Sequence, residues 1–188
     1  MNNTKYSVYE PTTDVIRFLL GGIGTGNISV GARGQFTDFE IFGTPAKGMK
    51  SPYTFFAIST RSASGENCVK ALEGEMVPPY HHSHGFHPWE VGGLPRFSKV
   101  KFSSQYPFVN VELEDEDMPV KVRLEAFTPF IPLESDDSGL PAAVIRYHVK
   151  NTSDEKQTVS VTGSFANLCN YSHEDTFTKP FFIGESVN

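Results

Sequence analysis

Hydrophobic and polar residues alternate with a period of two through much of the second half of the chain. In the run 109–114 one face carries Val109, Val111 and Leu113, and in the run 120–126 one face carries Val120, Val122, Leu124 and Ala126. Side chains of a β-strand point alternately to its two faces, so each run predicts a strand with one buried face. The turn-forming residues 115–119 join them into a hairpin in which acidic positions of the first strand face basic positions of the second.

Further strands are predicted on both sides of this hairpin. The same alternation covers Ala143 to Lys150 and a following run in which Val159, Val161 and Phe165 share a face. Shorter apolar and β-branched runs predict strands at Tyr53–Thr60, Cys68–Leu72 and Phe97–Ser103. No segment has a sustained apolar stripe of helical period. The prediction is therefore an all-β fold, an antiparallel β-sandwich of the supersandwich type. We expect it to be incomplete at the C-terminus, since residues 180–183 look like a strand entering further structure.

The stretch from Gly21 to Gly43 is rich in glycine and invites a nucleotide-binding interpretation. The dinucleotide fingerprint requires a third glycine that opens a helix, but Asn27 occupies that position. A second approximate match places Met49 where a phosphate-binding loop needs lysine. We therefore interpret these glycines as positions of positive φ or close chain approach, at bulges and strand corners.

Composition narrows the possible functions. The chain has 188 residues, 38% of them hydrophobic and 20% charged, with a net charge of -6, which argues against nucleic-acid binding. No apolar run approaches the roughly 20 residues of a membrane span, and Arg17 interrupts the longest candidate. The first residues do not have the layout of a signal peptide. With only Cys68 and Cys169 present, a disulfide scaffold is not expected, and a cytoplasmic location is predicted.

Two separated groups of residues carry a resemblance to a known family. The first is Gly21–Gly26 with Arg33-Gly34 and Phe39-Glu40, and the second includes Tyr106-Pro-Phe, Leu124–Pro132, Asp137–Pro141 and Arg146–Asn151. In this order they resemble glycoside hydrolase family 116, the bile-acid-type β-glucosidases and glucosylceramidases, and specifically their N-terminal β-sandwich domain. Gln35 stands where an acid is usual in that family, and Phe39 where tryptophan is common.

The resemblance implies a retaining glycosidase of two domains that cleaves a β-linked glucoside or related sugar through a glycosyl-enzyme intermediate. In this family the catalytic carboxylates lie in a C-terminal (α/α)6 barrel, and nothing in this chain reads as such a barrel. Residues 1–188 are therefore expected to be the non-catalytic N-terminal domain, which scaffolds the barrel and shapes its cleft. The chain alone is expected to be inactive and to need no cofactor. Two alternatives remain, a free-standing carbohydrate-binding module and a purely structural sandwich.

The densest candidate chemistry is a histidine-rich segment that precedes the only tryptophan. Four imidazoles and an indole lie within nine positions, at His81, His82, His84, His87 and Trp89. Such a segment can be a plain surface loop, a metal site, or a loop in which an aromatic ring stacks on a sugar while an imidazole binds a hydroxyl. No cysteine or carboxylate is interleaved, so no metal site is assigned. His84 and Trp89 are the substrate-binding candidates of this segment.

Carboxylates and one arginine complete the list of candidates. Acidic residues cluster at Glu114–Asp117 and at Glu134, Asp136 and Asp137, in segments that read as solvated turns, so no catalytic residue is assigned. Arg33 and Asp38 flank the glycine-rich stretch. They either line the edge of a cleft, which makes Arg33 a third substrate-binding candidate, or form a buried pair that holds irregular strands together.

Overall fold

The computed structural model describes residues 7–9, 15–41, 43–49, 51, 53–76 and 94–166. These residues form strands and one helical turn, which confirms the all-β prediction. The strands are β1 (Ser7–Tyr9), β2 (Arg17–Leu20), β3 (Asn27–Gly31), β4 (Phe36–Glu40), β5 (Phe55–Ser62), β6 (Asn67–Ala71), β7 (Lys99–Gln105), β8 (Phe108–Glu114), β9 (Val120–Phe127), β10 (Val144–Asn151) and β11 (Gln157–Ser164), and the helical turn is α1 (Ser135–Ser138).

The strands form three antiparallel sheets. A five-stranded sheet has the order β1-β7-β8-β9-β10, a three-stranded sheet has the order β11-β5-β6, and a second three-stranded sheet has the order β2-β3-β4. The apolar faces of the sheets share one core, so the molecule is an antiparallel β-sandwich.

The β8–β9 hairpin has the faces that alternation predicts. Val111 pairs with Leu124 and Leu113 pairs with Val122, and all four side chains are buried. On the opposite face, Glu114 forms an ion pair with Lys121 at 2.7 Å. Both the apolar face and the complementary charges of this hairpin were therefore predictable from local sequence.

The three sheets meet at one aromatic side chain. The ring of Phe56 on β5 lies 5.5 Å from the ring of Phe36 on β4 and 5.2 Å from that of Tyr147 on β10, measured between centroids. Tilted rings at these distances gain quadrupolar attraction in addition to buried area. Phe56, which is partly buried and packs against the core, therefore links all three sheets.

The structure departs from the sequence prediction in two respects. Strand β2 directly precedes the glycine-rich stretch and β3 and β4 run through it, and alternation there is too broken to reveal these strands. On β11, Val159 and Val161 share a face with buried neighbours on β5, as expected, but remain 36% and 44% exposed. Residues 180–183, predicted to form a strand, lie outside the described residues.

A buried ion pair links two of the sheets. Lys70 of β6 and Asp115, at the end of β8, approach to 2.7 Å with side chains that are only 9% and 7% exposed. The Asp115 carboxylate also accepts hydrogen bonds from the backbone N–H groups of Ser98 and Asp117. Burial alone would raise the pKa of Asp115, but the hydrogen bonds from Lys70 and these two N–H groups outweigh it and hold that pKa well below its usual value.

We expect Asp115→Asn to lower the free energy of unfolding at neutral pH by about 3 kcal/mol, because it leaves the Lys70 cation buried without its carboxylate. A carboxyl group whose pKa is lower in the folded state stabilises the fold above its unfolded-state pKa. That contribution is lost as the pH falls from about 4 toward the folded-state value. Urea unfolding at neutral and acidic pH should show this acid-dependent loss in the unsubstituted chain and a smaller one in the variant.

The matched control is Glu116→Gln, which removes the neighbouring but exposed ion pair with Lys99. It should change the free energy of unfolding by less than about 1 kcal/mol. Equal effects of the two substitutions would contradict the structural role assigned to Asp115.

Candidate functional site

The glycine-rich loop and the segment after β9 meet at one end of the sandwich. The backbone N–H of Gly21 donates to the Thr128 hydroxyl at 2.8 Å, and the N–H of Ile23 donates to the carbonyl of Ser138 at 2.9 Å. These contacts join two regions that are far apart in sequence, and both regions carry the family resemblance. One local structure therefore contains residues from both motif groups.

Two glycines make this close approach possible. A Cβ atom at Gly22 would overlap the carbonyl oxygen of Leu140, and one at Gly21 would overlap the carbonyl oxygen of Gly26. Gly21 also has a φ of 147°, a conformation that residues with a side chain rarely adopt. The glycines are therefore required for packing of backbone against backbone, as the sequence predicted, and not for binding a phosphate.

Apolar side chains surround this junction and face solvent. We call them the glycine-end surface, which consists of Ile23, Tyr106, Phe130, Ile131, Leu133 and Leu140. Tyr106 and Phe130 stack edge to face with centroids 5.2 Å apart. The Ser138 hydroxyl fixes the turn by bonding both the N–H and the carbonyl of Ile131. A cluster of exposed apolar side chains on an ordered framework is typical of an interaction surface.

Leu133 has the most unfavourable position on this surface. Its side chain is fully exposed, and its backbone adopts a φ of 72°. The left-handed conformation costs roughly 1–2 kcal/mol for a residue with a side chain, and glycine or asparagine would tolerate it better. Nothing in the described part of the chain compensates for this cost by burying Leu133. A strained, exposed leucine is therefore a candidate contact residue.

Three acids lie beside Leu133 but do not form a recognisable catalytic pair. Glu134 precedes α1 and Asp136 and Asp137 lie in its single turn, all of them exposed. The predicted solvated turn is thus a helical turn. An exposed position gives a carboxyl group little of the desolvation that catalytic acids need.

The acids of the turn after β8 are engaged in ion pairs. Glu114 pairs with Lys121, Asp115 with Lys70, and Glu116 with Lys99. These ion pairs give Glu114, Asp115 and Glu116 a structural role in the described chain.

Arg33 and Asp38 are both buried, and each has a backbone partner. The Arg33 guanidinium donates to the carbonyl of Gly74 at 3.1 Å, and the Asp38 carboxylate accepts from the N–H of Gly48 at 2.6 Å. Gln35 is buried beside them and accepts a hydrogen bond from the Arg33 N–H. These contacts support the interpretation that Arg33 and Asp38 hold irregular strands in place. Substrate binding by Arg33 stays a prediction.

His84 and Trp89 lie in residues 77–93, outside the described residues. The described chain on either side of this segment is held together by three backbone hydrogen bonds. Ala71 donates to Pro95 at 2.8 Å, Phe97 donates to Glu73 at 2.9 Å, and Glu75 donates to Phe97 at 3.0 Å. Residues 71–75 and 95–97 are therefore held side by side. Sugar binding by His84 and Trp89 stays a prediction.

A buried ion pair lies beside these backbone hydrogen bonds. Arg96 Nε and a Glu73 carboxylate oxygen are 3.4 Å apart, with both side chains buried. Burial raises the pKa of Glu73, and the positive charges of Arg96 and Arg33 partly offset that rise. Burial, followed by the nearby charge of Glu73, also raises the pKa of Tyr147. Residues 71–75 and 95–97, which flank the histidine segment in sequence, are thus held together by an ion pair as well as by backbone hydrogen bonds.

An open groove crosses the outer face of the five-stranded sheet. It has a volume of about 330 Å³ and is lined by apolar and charged side chains that include Phe108, Asn110, Arg123 and Glu125. Among the described residues, no three His, Cys, Asp or Glu side chains are grouped so that they could hold a metal ion. The described part of the chain also has no helix that is long and apolar enough to cross a membrane.

We expect Gly22→Ala to lower the free energy of unfolding by about 1–3 kcal/mol, because the added methyl group overlaps the Leu140 carbonyl and forces the two segments apart. Denaturant unfolding measures this loss, and faster hydrogen exchange at the Ile23 N–H would locate it. Gly24→Asn is the control, since a Cβ at Gly24 meets no atom within 4 Å and asparagine tolerates its φ of 75°. If both variants are equally stable, the proposed close approach is wrong.

A comparison with protein-family models covers most of the chain. Residues 18–181 match the family model described as beta-glucosidase 2, glycosyl-hydrolase family 116 N-term. A comparison with curated proteins gives no match. The matched range includes the glycine-rich loop, the segment after β9, strands β3 to β11 and all of β2 except Arg17. The chain therefore belongs to glycosyl-hydrolase family 116, and the part of that family it represents is the N-terminal domain.

Proposed function

We propose that residues 1–188 form the non-catalytic N-terminal domain of a retaining β-glucosidase or glucosylceramidase-like enzyme. Its function is to support a helical (α/α)6 catalytic domain and to shape one side of the substrate cleft. The observation that carries the proposal is the glycine-end surface, where the two groups of family-116 motif residues meet and expose apolar side chains. Family membership supports the choice of a catalytic domain as the partner.

The chemistry of the described chain agrees with a supporting role. Retaining glycoside hydrolysis needs two carboxyl groups about 5 Å apart, one of them with a raised pKa. The acids at positions 114–116 are in ion pairs, and those at 134, 136 and 137 are exposed on a single helical turn. The proposed catalytic domain would supply both carboxyl groups and bind the β-linked glucoside. A cytoplasmic location is part of this proposal and is supported by the low cysteine content, with Cys68 a free thiol.

The groove on the five-stranded sheet favours a second candidate, a carbohydrate-binding module. Phe108 offers an apolar ring there, and the Asn110 side-chain oxygen is buried without a hydrogen-bond partner among the described residues. Sugar sites combine an apolar ring with a few fixed polar groups. The neighbouring charges already form cross-strand pairs, such as Arg146 with Glu125 at 3.3 Å, so this candidate ranks second.

The first test measures binding of residues 1–188 to a separately produced catalytic domain of a family-116 enzyme. Leu133→Asp should weaken binding about 10- to 100-fold, because burial of one leucine side chain contributes about 1.5–3 kcal/mol. Aspartate tolerates the left-handed backbone, so the fold should be retained. Val69→Asp is the matched control, since Val69 is also an exposed apolar residue but lies on β6, outside the glycine-end surface.

Equal binding by the two variants would contradict the assignment of the surface. If the unsubstituted chain binds cello-oligosaccharides but no catalytic domain, and Phe108→Ala abolishes that sugar binding, the carbohydrate-binding module replaces the first candidate.

A second prediction separates function from stability at the same position. Leu133→Gly should raise the free energy of unfolding of the isolated chain by up to about 1 kcal/mol, because glycine adopts a φ of 72° without strain. The same substitution should weaken binding to the catalytic domain. Thermal unfolding and calorimetric titration measure the two effects. Loss of stability in Leu133→Gly would mean that Leu133 contributes to the fold of this domain and not to a partner surface.

A further inference from the structure

The outer face of the five-stranded sheet carries charges whose sign alternates from strand to strand. Lys101 of β7 lies opposite Glu112 of β8, which lies opposite Arg123 of β9. Two residues further along, Glu114 of β8 forms an ion pair with Lys121 of β9 at 2.7 Å. Opposite charges across neighbouring strands attract each other. At these positions β7, β8 and β9 are therefore basic, acidic and basic in turn.

This alternation of sign fails at β10, the edge strand. Lys150 lies opposite Lys121, and the imidazole of His148 lies opposite Arg123, where protonation adds a second like-charge pair. Like charges directly opposite each other are unfavourable. Lys150 forms no ion pair with any carboxylate of the described residues. Although the chain has a net charge of -6, its outermost strand here lacks an acidic row beside it.

The basic row distinguishes β10 from the other strands at sheet edges. Arg146, His148 and Lys150 occupy alternate positions of β10, whereas β1, β2, β4, β6 and β11 contain at most one basic residue each. Beyond β10 the sheet has no further strand within the described part of the chain. Alternate N–H and C=O groups of an antiparallel edge strand point away from its partner, so they can pair with an added strand. Backbone pairing groups and positive side chains therefore lie along the same edge.

We propose that β10 binds an extended acidic segment of a partner polypeptide, which adds to the sheet as a further strand. Acidic side chains at alternate positions of the segment would lie opposite the basic row and restore the alternation of sign. The residues between them would face the inner side of the sheet, where Val149 is 36% exposed, so apolar side chains fit there. The proposal uses no residue of the glycine-end surface and does not depend on the proposed function.

Basic residues on an edge strand also have a protective role, because they hinder pairing with further strands. Such repulsion acts against a basic segment and becomes attraction for an acidic one, and specific interfaces commonly use both effects. When a strand is added to a sheet, backbone hydrogen bonds supply affinity and side chains supply specificity. A purely protective edge would bind neither kind of segment, so the two roles can be told apart by experiment.

Titration of the complete chain with two capped peptides of the same length as β10 tests the proposal. One peptide alternates glutamate with valine, and the other alternates lysine with valine. We expect the glutamate peptide to shift the NMR signals of β10 and to slow hydrogen exchange of its outward N–H groups. The lysine peptide should not bind. Added salt should weaken binding of the glutamate peptide, because salt screens exposed charges.

Lys150→Glu isolates the contribution of charge, since Lys150 is exposed and its replacement breaks no ion pair of the described residues. It should weaken binding of the glutamate peptide about three- to tenfold, because one attraction is lost and one repulsion is added. The matched control is Arg61→Glu, which changes the net charge equally at an exposed position of β5, in another sheet. This control should leave binding within about twofold of the unsubstituted chain.

Four results would overturn the proposal. The first two are equal binding of the two peptides and no binding of the glutamate peptide at millimolar concentration. The third is equal weakening by Lys150→Glu and Arg61→Glu, which would show that binding depends on net charge and not on β10. The fourth is a set of NMR shifts confined to β11, which would place the peptide on another edge. If vesicles of phosphatidylcholine and phosphatidylserine bind the chain and the glutamate peptide does not, the basic row serves an anionic membrane surface instead.

Discussion

The meeting of three sheets at Phe56 is the contact on which the rest of the structure depends. Its ring touches Phe36 of one sheet and Tyr147 of another, and Phe165 packs on its remaining side. Gly163 leaves room for these rings, since a Cβ there would come within 2.9 Å of both Phe56 and Phe165. Removal of one large aromatic side chain from such a junction costs about 3–5 kcal/mol, a large part of the stability of a domain this size.

Two buried ion pairs add to the contacts of the apolar core. Lys70 and Asp115 link two sheets, and Glu73 pairs with Arg96 where residues 71–75 and 95–97 lie side by side. Such pairs add little net stability over apolar side chains, but breaking one is costly, so they favour a single arrangement of the strands. They also give two of the described acids, Asp115 and Glu73, structural partners.

The glycine-end surface is the part of the fold on which the proposed function rests. Backbone can approach backbone only where no Cβ intervenes, and this places the loop around Gly22 against Leu140. The approach brings exposed apolar side chains from two parts of the chain together and holds Leu133 in a strained, solvent-facing position. Stability of the isolated domain would favour glycine at position 133, which is why we propose Leu133 as a contact with a partner.

The sequence by itself determined the fold class, the faces of β8 and β9 and the family, because strand periodicity and motif order are local properties that can be read directly. It also predicted close approach at the glycines, but not that the partner of Gly22 is Leu140. Only the tertiary structure decided that contact, the pairing of Lys70 with Asp115 and the burial of Arg33. Each of these depends on which distant strands become neighbours. The alternation that identifies a strand is the same whichever neighbour it has, so the sequence pattern cannot specify the pairing.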